Sequence, residues 1–181
     1  MTMPQMPDLQ REEIERIRGY LVAQAAKLSV ADLVEKVRRD VQPLRQVAGA
    51  VPAERFRERP GPEDWSAAEV FTHILTMNEH GAAAIEGILD TGALPPRIDD
   101  TLKHEERAGL ETAEDYWRAF EARRERLLER VAKASGEEHP DVKITHPLFG
   151  PLSWREWLLF MRVHELDHTR QIQTVGESLG S

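Results

Sequence analysis

Four times along this chain a serine or threonine stands three residues before an aspartate or glutamate, at the head of a run whose apolar residues recur at helical spacing. The pairs are Ser29 and Asp32, Ser66 and Glu69, Thr112 and Asp115, and Ser153 and Glu156. In such a box the hydroxyl accepts from a free N–H of the first helical turn and the acid reaches back to the cap's own N–H, so each pair marks a helix start. The runs that follow agree. Val30, Leu33, Val34, Val37, Val41 and Leu44 form the first stripe; Val70, His73, Ile74, Met77, Gly81, Ala84, Ile85 and Ile88 form the second. Tyr116, Trp117, Phe120, Leu127, Leu128 and Val131 form the third, and Trp154, Trp157, Met161, His164, His168, Ile172 and Val175 the fourth. Thr91-Gly92, Gly136 and Gly176 are the expected stops.

Four capped amphipathic helices without a strand-length alternating run imply an all-α fold, a four-helix bundle. A further stripe, Leu9, Ile14, Ile17, Leu21, Ala25 and Leu28, adds an N-terminal helix over residues 9–28, preceded by a flexible tip at 1–8; the bundle spans 30–176. Pro43 lies inside the first bundle stripe and is expected to kink that helix or end its regular part, because it lacks an N–H and crowds the preceding turn. The stretch from Thr91 to Glu111 is too long for a tight turn between antiparallel neighbours and suits a crossover along the bundle. Val142 to Leu152 reads as an extended loop or a short hairpin turned at Gly150.

Composition narrows the function. At 181 residues a single domain has a sizeable core without staples, and the absence of cysteine removes disulfides, thiolate metal sites and a cysteine nucleophile together. A formal net charge of −8 opposes binding to phosphate backbones or anionic lipid, so neither nucleic acid nor membrane is an expected partner. The N-terminal stretch shows no leader pattern, and the expected location is the cytoplasm.

Three of the seven histidines fall on stripes that turn inward. His164 and His168 are one turn apart on one helix face, where both imidazoles reach a common ion, and His73 is carried inward by another helix. A lone inward histidine is ordinarily a hydrogen-bonded core residue, but three on facing helices make a metal site with positions left open. His80, two turns beyond His73, is expected in the core or a pocket wall; His104, His139 and His146 fall in connections, where solvated or turn roles are the default. Glu79 points away from the His73 face and is expected in a salt bridge.

His164-Glu165-Leu166-Asp167-His168 also satisfies H-E-x-x-H, the zinc-peptidase signature in which the glutamate activates water, which makes Glu165 a candidate catalytic base. Such enzymes take a third ligand from downstream, and after His168 this chain has only Glu177 and no histidine. The peptidase reading therefore ranks below a site completed from upstream.

Trp65-Ser66-Ala67-Ala68-Glu69-Val70-Phe71-Thr72-His73, His146-Pro147-Leu148-Phe149-Gly150-Pro151-Leu152 and His164-x-x-x-His168-x-x-Gln171-Ile172, in that order and spacing, resemble the DinB-like (DinB/YfiT-like) metalloenzyme superfamily. The resemblance covers roughly Val30 to Gly176. It implies an up-down-down-up bundle binding one divalent ion, zinc, nickel or iron, through His73, His164 and His168. It also implies a homodimer and a small-molecule substrate. Characterised relatives use the ion to activate a low-molecular-weight thiol, so the leading expectation is a thiol-dependent S-transferase or related hydrolase. The alternative is a non-catalytic dimeric metal-binding or stress-response protein.

Overall fold

A computed structural model describes residues 11–180, and the expected tip at 1–8 and first two residues of the N-terminal helix lie outside them. Helix α1 spans Arg11–Lys27, α2 Val30–Asp40, α3 Gln42–Ala50, α4 Ala67–Thr91, α5 Ala113–Val131 and α6 Trp154–Gly180. A single 3-10 turn at Ala53–Arg55 follows α3, and a small antiparallel pair, β1 (Ile144–His146) and β2 (Gly150–Leu152), precedes α6. No helix among the described residues is long and apolar enough to cross a membrane.

Each capping pair begins the helix it predicts. Ser66 and Glu69, and Thr112 and Asp115, exchange both bonds of the box; the Ser153 N–H donates to Glu156 Oε2 at 2.8 Å at the head of α6. Pro43 ends a regular stretch: the chain breaks at Val41 and restarts as α3 with the proline in its first turn, where its missing N–H has no intrahelical partner to lose. At the other end of the chain Gly176 does not stop α6, which runs on to Gly180 because Val175 and Leu179 still bury on the stripe. Gly150 closes the three-residue turn of the hairpin with φ +70°, a conformation that glycine adopts without a Cβ penalty.

Helix directions follow from side-chain pairs. Along α4 and α5 the pairs climb together, Thr72 with Tyr116, Asn78 with Arg124 and Asp90 with Arg130, so these helices are parallel. His73 against His164, and Gly81 against Trp157 and Met161, make α4 and α6 antiparallel. Arg38 with Glu125 and Arg45 with Glu114 set α2 and α3 against α5, whereas Asp40 with Arg162 and Val51 with Gly176 set them along α6. The order is up (α2 and α3), down, down, up. Helix α1 lies antiparallel on α6, where Arg155 takes the Ala25 carbonyl and Arg162 the Tyr20 hydroxyl.

Two parallel consecutive helices require the long connection. Segment 92–112 runs back along α4 from its end to its beginning: Ile98 and Leu102 are buried, His104 stacks on Trp65 with centroids 3.7 Å apart, and the Arg107 N–H donates to Thr72 Oγ1 at 3.0 Å. The apolar core divides into two parts. One gathers α1, α2, the hairpin and the adjoining halves of α4, α5 and α6, with Trp154, Trp157 and Phe160; the other gathers α3 and the opposite halves, with Phe71, Tyr116 and Trp117. Between them lies a layer of buried polar side chains, His73, Asn78, Arg124, His164, Glu165 and Thr169.

Candidate metal centre

Helix α4 brings His73, and α6 brings His164 and His168, to one point in that layer. Each ring offers one nitrogen within 4.8 Å of those of the other two, and Nε2 of His73 is 2.9 Å from Nε2 of His164. The ring centroids are 4.3–4.9 Å apart with planes steeply inclined, so the rings converge edge-on toward a shared centre instead of stacking. His73 and His164 are buried and His168 is half-buried.

Electrostatics keep all three rings neutral in the metal-free protein. Burial, reinforced by the charge that His168 would carry, pushes the His73 imidazole down to about 3. Burial also drives His164 well below its ordinary value, with His168 and His73 adding to the shift. His168 is lowered by burial, and Gln171 opposes the shift. Neutral imidazole is the form that offers a lone pair to an ion. Gln171 selects which nitrogen does so: His168 Nδ1 donates to Gln171 Oε1 at 2.7 Å, so the lone pair is on Nε2.

The donor set fits a divalent first-row ion. Nitrogen donors sharing zinc at about 2.0–2.1 Å stand on the order of 3 Å apart, and Nε2 of His73 and of His164 already stand 2.9 Å apart. Three neutral nitrogens leave coordination positions for water or substrate. Such an ion would polarise what it binds and make its ionisation easier near neutral pH.

Glu165, one residue from His164, is turned about 100° around the helix and belongs to a different network. Its carboxylate takes both terminal nitrogens of Arg124 from α5; Arg124 Nε donates to Asn78 Oδ1 at 2.9 Å, and the Asn78 amide donates to the Phe120 carbonyl. Burial pushes the Glu165 carboxyl up, and the charge of Arg124 opposes it. Both oxygens accept from Arg124, which ties the carboxylate into this network.

The other sequence candidates separate. Glu79 pairs with Arg107 of the crossover at 2.9 Å. His80 is exposed and forms the wall of a groove of about 440 Å³ under Leu94 to Asp99, and His139 is exposed in a turn. His104 contacts Glu69 Oε1 at 3.2 Å. His146 departs from the solvated role expected of a connection: it is buried, its Nδ1 accepts from the Leu148 and Phe149 N–H groups at 3.0 and 3.1 Å, and its Nε2 lies 3.1 Å from Asp100 Oδ2. Asp100 and Arg124 were not singled out by sequence, because each sits in a charged run that reads as solvated.

An up-down-down-up bundle with three histidines converging between its second and last helices defines a class of helical protein able to hold one metal ion. The chain belongs to the DinB superfamily, whose family model matches residues 33–172. A protein of Bacillus subtilis (strain 168) named "Uncharacterized protein YuaE" is similar, 26% identical over 140 residues that cover 70% of this chain and 86% of that protein.

Proposed function

We propose that the protein binds one divalent ion, zinc, nickel or iron, through His73, His164 and His168, and that it is a metal-dependent enzyme acting on a small molecule. The single observation that supports this most is the convergence of three neutral imidazoles from two helices within 4.8 Å. Within that class, a thiol-dependent S-transferase or related hydrolase is the reading that best uses the site. The open side accepts a thiol or water, and ionisation there makes a nucleophile at neutral pH. A homodimer in the cytoplasm is part of the same proposal. The peptidase reading ranks lower, since the ion pair of Glu165 with Arg124 supports a structural role for that carboxylate.

Elemental analysis of tag-free protein, after chelation and reloading, tests the first step. One divalent ion per chain is expected, and His168→Ala is expected to take up none while keeping its helical circular dichroism. Failure of the unaltered protein to bind any divalent metal refutes the proposal. The loaded protein is then assayed with thiols plus an alkylating electrophile, and separately with peptides; peptide cleavage without thiol transfer overturns the ranking.

A further inference from the structure

Where the chain leaves α4 it arches away from the helix and then returns to it. Gly92 caps α4 with φ +66°, Pro95 and Pro96 hold their own φ angles fixed, and Ile98 re-enters the core. Beneath the arch lies the groove of about 440 Å³ that His80 walls at one end. Ala83, Ala84 and Gly87 of α4 line it from the helix side, and Leu94 and the two prolines line it from the crossover. None of the three histidines of the candidate metal centre lines it.

Two features keep the groove open. Gly87 is inside α4, where glycine is a poorer helix former than alanine, yet a Cβ there would meet nothing within 4 Å. Neither the backbone nor packing asks for glycine, and a larger side chain would only fill the groove. Leu94 is 78% exposed, the most of any large apolar side chain among the described residues, and stands where a body lodged in the groove would cover it. The volume is that of a small-molecule site, about 300–1,000 Å³. A stable protein interface draws on about 20–30 residues a side, and this groove is lined by far fewer.

Charge narrows the occupant further. The acids around the groove are engaged: Glu79 with Arg107, Glu86 with Arg123 and Asp90 with Arg130. Asp99 accepts from the Thr101 N–H and hydroxyl at 3.0 and 2.6 Å and lies 3.8 Å from Lys103 Nζ. Arg97 lines the same groove and is exposed, and among the described residues its guanidinium forms no hydrogen bond or ion pair; its charge acts on Asp99 beside it. An apolar groove with one uncommitted guanidinium at its edge suits an apolar body that carries an acid group.

We propose that this groove binds a small organic anion, with the aryl or alkyl body on Ala83, Gly87 and Leu94 and the acid group on Arg97. The inference goes beyond the metal reading and does not depend on it.

The test titrates the chelated full chain with 8-anilinonaphthalene-1-sulfonate and with neutral N-phenyl-1-naphthylamine, which shares the aromatic body and lacks the acid. Saturable binding of one sulfonate probe per chain is expected, from the rise in its fluorescence. Arg97→Gln is expected to weaken the sulfonate about tenfold and leave the neutral probe unchanged, and Arg97→Lys to recover part of the loss. Gly87→Leu fills the groove and is expected to weaken both probes by about tenfold or more, with helical circular dichroism retained. Ala83→Leu, at an exposed position, gives the same block independently of Gly87. Absence of saturable binding overturns the inference, as do equal effects of Arg97→Gln on both probes or affinities untouched by filling the groove. Probe binding that fades as the protein is concentrated into a dimer overturns it too, by making a second copy the occupant.

Discussion

Within the polar layer, His164 and Glu165 are sequence neighbours at nearly the same depth, and they are treated in opposite ways. Glu165 is closed: Arg124 takes both of its oxygens, Asn78 takes the remaining guanidinium nitrogen, and three helices are joined by the network. The histidines are open. Their donor atoms point at one another, and among the described residues only His168 has a hydrogen-bonding side chain, Gln171, outside the group. A buried polar network that is fully satisfied fixes helix register, whereas donors left facing each other hold binding capacity. The contrast between adjacent residues thus separates a structural element from a site.

The comparison is broken most strongly at Glu165. Glu165→Ala leaves the Arg124 guanidinium buried without its counter-charge, and a loss of about 3–5 kcal/mol in urea unfolding is expected. Replacing both partners together, Arg124→Met with Glu165→Leu, should recover most of that loss. A double variant no more stable than Glu165→Ala would mean that the charges are needed for more than pairing.

Acid acts on the other half. His73 stays neutral in the folded, metal-free protein down to about 3, while the unfolded chain takes up its proton near the ordinary histidine value of 6.5. The unfolded state binds more protons below that value, so the stability is fully present above it and is lost as pH falls toward 3. Between about pH 6.5 and 5, where carboxylates remain ionised, each buried histidine costs about 1.4 kcal/mol per pH unit. Urea midpoints of chelated protein measure this directly, and a flat profile across that window would show the imidazoles to be solvated. The smallest effect sharpens the comparison without removing a donor: Gln171→Ala frees the His168 ring and is expected to weaken metal affinity about tenfold, read by competition with a chelator. Unchanged affinity would mean that packing alone orients the ring.

Much of this was legible in the chain. The four capping pairs marked the starts of α2, α4, α5 and α6, and the length of 91–111 demanded a crossover, because such signals are local. His73, His164 and His168 were legible because helical periodicity aims them inward. Arg124 was not, since it sits in the charged run Arg123-Arg124-Glu125-Arg126, and burial of one arginine there depends on Glu165 forty-one positions away. Asp100 and His146 were hidden for a related reason: connections have no period, and only packing against α4 and the hairpin brings the pair together. Ile98 and Leu102, apolar residues one helical turn apart in a polar stretch, were the available sign that this connection is covered.

Gly81 lies two turns from His73 on α4, and a Cβ there would meet Met161 Sδ at 2.6 Å and Trp157 Nε1 at 2.9 Å, so α4 and α6 approach closely because this residue has no side chain. In the language of coordination chemistry the two helices would be the arms of a chelate, and the glycine would set its bite. A wedge at that point would widen the span between His73 and His164 without touching either ring. On the metal-binding function proposed above, a packing contact remote from every donor atom would therefore help to set the radius of the ion that the three histidines accept.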